Sequence, residues 1–297
     1  MRSAEPITER RAPALADLDL LDTLDLVERI NDEDARVAPA VRAAAPALAA
    51  AIDAVAARLE AGGRLVYVGA GSSGRLALVD AVECGPTFGL DAGRVVAVVA
   101  GGAASQAEAQ EAAEDDAEAG VADVAAAGVS HADAVVALSA SGRTPYTLAA
   151  AKAAHAAGAF VVAVMCAEAT PLEAAADLAV VVPVGPEVIA GSTRMKAGTA
   201  QKLVLNTLST GAMVRLGRTY GNLMVDVVAS NEKLRLRAQR VVALAAGVDD
   251  AEAGSALRAA DGEPKTAIVA LRLGLDPTEA RARLAAADGV VRRALGT

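Results

Sequence analysis

The sequence predicts an α/β protein: a doubly wound, five-stranded parallel sheet, preceded by helices and followed by a small helical subdomain. Three observations support this prediction. Five short Val-rich runs follow residue 62, and each is continuously apolar, as expected of strands that are covered on both faces. Ala-rich helical stretches separate most of these runs, which favours parallel strands joined by helices. A charged, glycine-punctuated helical tail comes after the last run.

Apolar residues recur at helical spacing over the first 60 residues, which predicts helices before the sheet. Asn31 or Asp32 is the expected cap of the second of these helices. We divide the chain into an N-terminal helical segment at 1–50, an α/β domain at 51–235 and a small helical C-terminal domain at 236–297. The predicted strands are Leu65–Val68, Val95–Val99, Ala134–Leu138, Phe160–Val164 and Leu178–Val182.

Composition limits what the chain is expected to bind. With 297 residues, of which 54% are hydrophobic, it is long enough for a sizeable core. A net charge of -9 and the absence of Trp argue against nucleic acid, which needs clustered cations. Cys84 and Cys166 match no metal spacing or disulfide framework. The acidic N-terminus and the lack of a long apolar run predict a cytoplasmic protein without a membrane partner.

The first candidate binding loop is GAGSSGR at 69–75, which follows the first predicted strand and opens a helix. Its glycine spacing matches a dinucleotide fingerprint, but the second strand runs into Ala100-Gly101-Gly102 and supplies no acid for a ribose. Glycines let the backbone approach an anion, and a helix N-terminus offers free N–H groups, so the loop favours a phosphate or a sugar. A plain strand-to-helix turn is the alternative. The candidate ligands are Gly71, Ser72 and Ser73.

The second candidate loop is SASGRTP at 139–145, which also follows a strand and opens a helix. Pro145 suits the first helical position. Three hydroxyl groups and a cation near one helix N-terminus favour a phosphate, because the helix dipole and the free N–H groups attract negative charge. Simple N-capping is the alternative. The candidate ligands are Ser139, Ser141, Arg143 and Thr144.

A third cluster at 191–202 gathers basic and hydroxyl residues before a helix in an otherwise acidic chain. Its candidate ligands are Ser192, Arg194 and Lys196. Solvated surface groups are the alternative interpretation of these cations. The two glycine loops that precede this cluster favour a role in ligand binding over the surface interpretation.

The three loops, in this order, resemble the sugar isomerase domain family of phosphosugar-binding proteins, which makes 51–235 the expected sugar-phosphate-binding domain. The flanking sequence is more specific, and over nearly the whole chain it resembles the N-acetylmuramic acid 6-phosphate etherases. The KTAIVAL run at 265–271 is a less specific match to the small helical domain of that family. The motifs that carry the resemblance, besides the two glycine loops, are Thr8-Glu9, Ile30-Asn31-Asp32-Glu33-Asp34, Asp80-Ala81-Val82-Glu83-Cys84, Glu114-Asp115, GSTRMKAGTAQKLVLN at 191–206 and GNLMVDVVASNEKL at 221–234.

The resemblance implies a homodimeric enzyme that eliminates the lactyl ether at C3 of the amino sugar and then adds water, without a metal or other cofactor. It also implies that Glu83 is the acid that assists departure of lactate and that Glu114 is the base at C2. Two carboxyl groups suffice for such acid and base work. Glu114 lies in an acidic stretch that is predicted to be helical, in which Glu111, Glu114 and Glu118 share one face by i, i+3 and i+7 spacing, so periodicity alone leaves the choice among them open.

Glu83 is expected at the end of a helix that begins at Ser73 and stops before Gly85-Pro86. A helix C-terminus and apolar neighbours both raise the pKa of a carboxyl group, which would favour the neutral acid. A solvated helix-end carboxylate is the alternative. Two other functions remain open: an aldose–ketose isomerase of the same fold, and a non-catalytic sugar-phosphate sensor. A DNA-binding sensor is disfavoured because acidic residues outnumber basic ones in the first 60 positions.

Overall fold

The computed structural model describes residues 6–102, 111–227 and 232–296. These residues form two units. One contains the described residues up to Val82 together with those between Gly93 and Ser209, and the other contains Glu83–Ala92 and the described residues from Thr210 onward. The N-terminal helices therefore group with the sheet. The predicted division at residues 50 and 235 stays a prediction, and four positions of the 221–234 motif, 228–231, lie outside the described residues.

From residue 6 to residue 60, the chain folds into two short 3₁₀ helices, Pro13–Leu15 and Leu18–Leu20, and three α-helices, α1 (Thr23–Asp34), α2 (Val37–Ala43) and α3 (Ala45–Glu60). The expected cap at Asn31 or Asp32 is wrong, because both residues lie inside α1. Asp22 caps that helix, and its carboxylate accepts a hydrogen bond from the Asp25 amide at 3.0 Å. No single helix in the described ranges has the length and apolarity to cross a membrane. The segments Thr23–Ala43 and Ala45–Glu60 reach that length and apolarity only when taken together, and a 60° bend separates them.

The central sheet has five parallel strands in the order β2-β1-β3-β4-β5. The strands are β1 (Leu65–Gly69), β2 (Val95–Val99), β3 (Ala134–Leu138), β4 (Phe160–Met165) and β5 (Leu178–Val181). The predicted doubly wound sheet is confirmed, with each strand within one residue of its predicted bounds. Because the strand order reverses between β1 and β3, their carboxyl ends form the topological switch point, where open α/β sheets bind ligands.

Helices cover both faces of this sheet. Helix α3, which precedes β1, and helix α7 both contact the strands. The helices that follow β1, up to α9, are α4 (Gly71–Phe88), α5 (Glu111–Glu114), α6 (Ala117–Ala126), α7 (Pro145–Ala156), α8 (Pro171–Ala174) and α9 (Lys196–Arg215). Val66 and Val68 of β1 pack in one core with Tyr146 of α7. Tyr67 points to the opposite face, where its hydroxyl donates to the buried carboxylate of Asp80 on α4 at 2.7 Å. The alternation of these neighbours explains why the strands read as continuous apolar runs.

Besides the ends of α4 and α9, the described part of the second unit contains a short antiparallel pair, β6 (Thr219–Tyr220) and β7 (Leu223–Met224), and five helices, α10 (Glu232–Ala246), α11 (Asp250–Ala259), α12 (Pro264–Leu273), α13 (Pro277–Ala285) and α14 (Val291–Leu295). The predicted helical character of the tail is confirmed. The KTAIVAL run opens α12, and its Ala267, Ile268 and Val269 are buried in the core of this unit. Lys265 in the same run pairs with Asp226 at 2.5 Å.

An ion pair with additional hydrogen bonds links the amino-terminal ends of β1 and β3, at the edge of the sheet opposite the switch point. The Asp133 carboxylate accepts from the backbone amide and the guanidinium of Arg64, at 2.8 to 3.1 Å, and from the Ser130 amide at 3.0 Å. Burial by itself raises the pKa of Asp133, but the hydrogen bonds from Arg64 and Ser130 outweigh it and lower that pKa below the ordinary 3.8. The ionised carboxylate thus stabilises the fold above that ordinary value, and the stabilisation is lost as the pH falls through the lower, folded value.

We expect Asp133→Asn to lower the free energy of unfolding by about 1 to 3 kcal/mol at neutral pH, because an amide oxygen replaces the charged acceptor. The difference from the parent protein should narrow as the pH falls below about 4. Urea unfolding at about pH 7 and about pH 3 measures both values. A difference that stays the same at both pH values would contradict the assigned role of the ionised carboxylate.

Candidate functional site

The loop after β1 runs from Gly69 into the first turn of α4. Gly71 has φ +53, a left-handed conformation that glycine adopts without steric cost. Ser72 is half-buried. The hydroxyl of Ser73 is buried and donates to the side-chain oxygen of Gln201 on α9 at 2.8 Å. Among the three candidates, Gly71 and Ser72 thus remain accessible, whereas Ser73 ties the loop to a neighbouring helix.

The carboxyl group of Glu114 lies against this loop. Glu114 is half-buried at the end of α5, and a Cβ atom at position 71 would overlap its Oε1. The glycine at 71 therefore leaves room for the carboxyl group in the position that the structure gives it. Glu118 belongs to a separate helix, α6, where it is exposed, and the side chain of Glu111 lies outside the described residues. The structure therefore brings Glu114 to the switch point.

The predicted face shared by the three glutamates is wrong, because the acidic stretch is two helices. Asp116 caps α6, and its carboxylate accepts from the Ala119 amide at 2.8 Å. This cap begins a new helix directly after α5 has ended, so i, i+3 and i+7 spacing does not describe a single surface here.

We expect Gly71→Ala to displace the Glu114 carboxyl group and to cost about 1 to 2 kcal/mol of backbone strain, because a left-handed alanine is disfavoured. Any reaction that needs Glu114 at this loop should slow more than the loss of stability explains. Thermal unfolding measures the loss of stability, and an activity assay on the same preparation measures the loss of rate. The control is Gly62→Ala, which has φ +93 but no atom within 4 Å of the added Cβ. Equal losses of activity in the two variants would contradict the contact.

The loop after β3 gathers its three hydroxyl groups. Ser139 is buried, and its Oγ lies 2.9 Å from Thr144 Oγ1 and 3.4 Å from Ser141 Oγ. The Gly142 amide donates to Ser139 Oγ at 3.1 Å. Helix α7 begins at Pro145 as predicted, and Thr144 makes no side-chain cap bond to it. Simple N-capping by Thr144 is therefore excluded, and its hydroxyl joins the cluster instead.

The two loops start side by side. Gly69 at the end of β1 is in register with Leu138 at the end of β3, so the next residues of both strands leave the sheet at neighbouring points. Each loop leads into a helix N-terminus, α4 or α7, where free N–H groups and the helix dipole favour an anion. Arg143 is exposed at the same place. The switch point thus combines hydroxyl groups, amides and one cation with the carboxyl group of Glu114.

The third cluster differs from the other two. Both oxygens of the buried Glu187 carboxylate accept hydrogen bonds at 2.9 Å from the Lys196 and Ala197 amides, so an internal carboxylate already occupies the N-terminus of α9. Lys196 is 1% exposed, and its ammonium group donates to the carboxylate of Glu33 at 2.5 Å. The role of Lys196 as a direct phosphate ligand stays a prediction, and in this structure its charge is used within the protein.

Arg194 and Ser192 lie on the surface of this cluster, where Arg194 is exposed and Ser192 half-buried. Arg194 lines a cavity of about 550 Å³ between the N-terminal segment and residues 187–195. Neither loop of the switch point lines this cavity. The N-terminal motif packs on the same cluster, because the Gly191 amide donates to the carbonyl of the buried Thr8 at 3.1 Å.

Glu83 lies in the segment that belongs to the second unit. The expected helix end before Gly85-Pro86 is wrong: α4 continues to Phe88 and closes at Gly89, whose φ is +62 and whose amide donates to the Gly85 carbonyl at 2.9 Å. Glycine in the left-handed conformation is the effective stop signal, and Pro86 is accommodated inside the helix. The side chain of Glu83 is exposed, so the expected helix-terminal, apolar setting is wrong as well.

Sequence reasoning missed several buried polar residues in the unit that contains the sheet, namely Glu33, Asp80, Glu187 and Gln201. All except Glu187 lie within the quoted motifs, whereas nothing in the pattern around Glu187 marks a helix cap. Within the described ranges, no group of three or more His, Cys, Asp or Glu residues is placed to hold a metal ion. Cys166 is free and buried; burial, and then the charge of Glu187, raise the pKa of its thiol to about 12.

Comparisons with known proteins identify the family. A model described as the SIS domain matches residues 111–210, and one described as the glucokinase regulatory protein N-terminal SIS domain matches residues 47–155. A Rubrobacter xylanophilus protein named N-acetylmuramic acid 6-phosphate etherase is 58% identical over 267 residues, which cover 90% of this chain and 89% of that protein. The chain belongs to the N-acetylmuramic acid 6-phosphate etherase family. This confirms the resemblance drawn from the motifs.

Further comparisons agree with membership of the etherase family. A Streptomyces avermitilis protein of the same name is 52% identical over 261 residues, covering 88% of this chain and 84% of its own. The solved structure of an Escherichia coli CFT073 protein is 20% identical, with a TM-score of 0.50, over 68% of this chain and 97% of that one. At this identity the likeness shows a shared fold.

Proposed function

We propose that this chain cleaves the D-lactyl ether of N-acetylmuramic acid 6-phosphate, giving N-acetylglucosamine 6-phosphate and D-lactate in the recycling of cell-wall amino sugars. One observation carries the proposal: the 58% identity, over 90% of the chain, to a protein named for this activity. The geometry supports it, because two adjacent loops suited to an anion meet a half-buried carboxyl group at the switch point.

In this proposal the loop after β3 binds the phosphate group of the substrate. Its clustered hydroxyls and the N-terminus of α7 supply neutral donors, and Arg143 supplies charge. Gly71 and Ser72 of the neighbouring loop contact the sugar. Ser192 and Arg194 remain proposed ligands because they lie in the motif at 191–206.

The chemistry needs one base and one acid. After the sugar ring opens, the aldehyde at C1 acidifies the C2 hydrogen, and the base removes this proton. The electron pair forms a C2–C3 double bond as the C3–oxygen bond breaks, and the acid protonates the departing lactate oxygen. Water then adds its oxygen to C3 and a proton returns to C2, which completes the balance with one water consumed.

We assign the base to Glu114 and the acid to Glu83. The position of Glu114 against Gly71 supports the first assignment, since a base must lie beside the sugar that the loops hold. The second assignment rests on the motif around Glu83 and on family membership. It does not depend on the helix end that sequence alone predicted.

We further propose that the enzyme acts as a homodimer in the cytoplasm. The N-terminal region exposes three apolar side chains, Leu20 in the second 3₁₀ helix and Leu24 and Val27 in α1, with exposed fractions of 80%, 66% and 49%. Exposed apolar side chains of this kind favour a protein partner, and a second copy would bury them symmetrically. Light scattering should give twice the chain mass of 29.6 kDa. A monomer over a range of concentrations would contradict the proposal.

The test is an assay of the purified chain with N-acetylmuramic acid 6-phosphate. One D-lactate should form for each N-acetylglucosamine 6-phosphate, and oxygen-18 from labelled water should appear at C3. Formation of a ketose without lactate would support the isomerase, and binding without any product would support the sensor. Either result would overturn the proposed function.

A further inference from the structure

One buried side chain beside the switch point has an unused polar atom. Gln201 is 1% exposed in α9, and its Oε1 accepts from Ser73 Oγ at 2.8 Å. Its Nε2 finds no hydrogen-bond partner among residues 6–102, 111–227 and 232–296. Leaving a buried amide donor unsatisfied carries a desolvation cost, so such atoms in native proteins call for an explanation.

The orientation of the amide decides which of its two polar atoms faces Ser73. Turning the Gln201 side chain over would exchange its oxygen and nitrogen. The hydroxyl of Ser73 can donate or accept, so it would still satisfy whichever atom faces it. In the orientation that the structure gives, Oε1 faces Ser73, and Nε2 is the buried atom without a partner among the described residues.

The surroundings of Gln201 suggest what satisfies this atom. Its partner, Ser73, lies two residues after Gly71, and Gly71 is the residue against which the carboxyl group of Glu114 rests. Glu114 of α5 and Gln201 of α9 thus both reach this loop, Glu114 at Gly71 and Gln201 at Ser73. A ligand held by this loop carries several oxygen atoms that can accept an N–H donor.

We infer that Gln201 is a substrate-binding residue whose amide donates a hydrogen bond to an oxygen of the sugar phosphate, with Ser73 fixing the orientation of the amide. The inference rests on the proposed function for the identity of the sugar. It assigns to α9 a direct role in binding, in addition to packing against the sheet. Binding of substrate then removes the cost of the unpartnered atom, so part of the affinity comes from a group that is already buried and oriented.

The test measures binding of N-acetylglucosamine 6-phosphate, the proposed product, so that it does not depend on turnover. Gln201→Met keeps the volume of the side chain and removes its donor, and Gln201→Glu keeps an oxygen for Ser73 while removing the N–H. Calorimetry should show affinity reduced about tenfold or more in both variants. In turnover, KM should rise by a similar factor with a smaller change in kcat.

Ser209→Ala is the matched control. Ser209 is a buried polar residue of the same helix, and its hydroxyl donates to Asp80 at 3.2 Å. This variant should lose some stability and keep the parent affinity. Circular dichroism checks that each variant is folded, and the second Gln201 variant provides the measurement if the first does not fold.

The outcomes separate the inference from the function on which it rests. If the parent protein releases D-lactate and folded Gln201→Met and Gln201→Glu bind the product as tightly as the parent, the inference is overturned and a buried water is the partner of the amide. If Ser209→Ala weakens binding equally, the effect is structural and the inference is again overturned. A parent protein that binds the sugar phosphate but releases no lactate overturns the proposed function alone.

Discussion

Glu114→Gln should lower the rate of D-lactate release by about 10²- to 10⁴-fold, the usual contribution of a positioned general base. The amide has nearly the size of the carboxyl group, so the contact with Gly71 and the fold should persist while the proton acceptor is lost. Exchange of the C2 hydrogen with deuterated solvent should fall by the same factor, because this step needs the base and no departure of lactate.

The matched control for this variant is Glu118→Gln, the same chemical change at an exposed position at the start of α6. It should retain the parent rate of lactate release and of C2 exchange. Undiminished C2 exchange in folded Glu114→Gln would exclude Glu114 as the base, whatever the rate of lactate release.

Glu83→Gln should also lower D-lactate release by about 10²- to 10⁴-fold, in this case because the departing lactate oxygen loses its proton donor. Without a proton donor the lactate oxygen is a poor leaving group, whereas the base is intact. We therefore expect exchange at C2 of unreacted substrate to continue while C3–oxygen cleavage slows. Mass spectrometry of the recovered substrate in deuterated water measures this exchange and lactate release in one experiment.

Asp91→Asn serves as the control for Glu83→Gln, since Asp91 is an exposed carboxylate in the same segment, Glu83–Ala92. It should leave both rates unchanged. Parallel loss of C2 exchange and lactate release in Glu83→Gln would contradict the division of roles and would point to a shared binding defect instead.

The strands were predictable from local pattern, whereas the end of α4 was not. Five continuous apolar runs located every strand to within one residue, because a strand buried on both faces leaves no polar position to confuse the pattern. The end of α4 was misplaced because Gly85-Pro86 is only a local stop signal. The glycine that closes the helix, Gly89, lies four residues further on.

The site shows the same division. Both glycine loops were predictable from their motifs, because each needs glycine and hydroxyl residues directly after a strand. This requirement involves only adjacent residues. The roles of Ser73 and Lys196 were not predictable in the same way. Their partners, Gln201 and Glu33, are 128 and 163 positions away, so local patterns contain no information about these pairs.

The sequence by itself determined the sheet, the order of its strands along the chain, the two phosphate-type loops and, through long motifs, the etherase family. Tertiary structure alone decided that β1 and β3 are neighbours and that Glu114 reaches Gly71. It also decided that Glu187 accepts hydrogen bonds at the N-terminus of α9 and that Lys196 pairs with Glu33. The physical reason is the range of the interactions. Burial patterns and turn conformations act between adjacent residues, whereas pairing of buried polar groups is settled only when distant segments pack together.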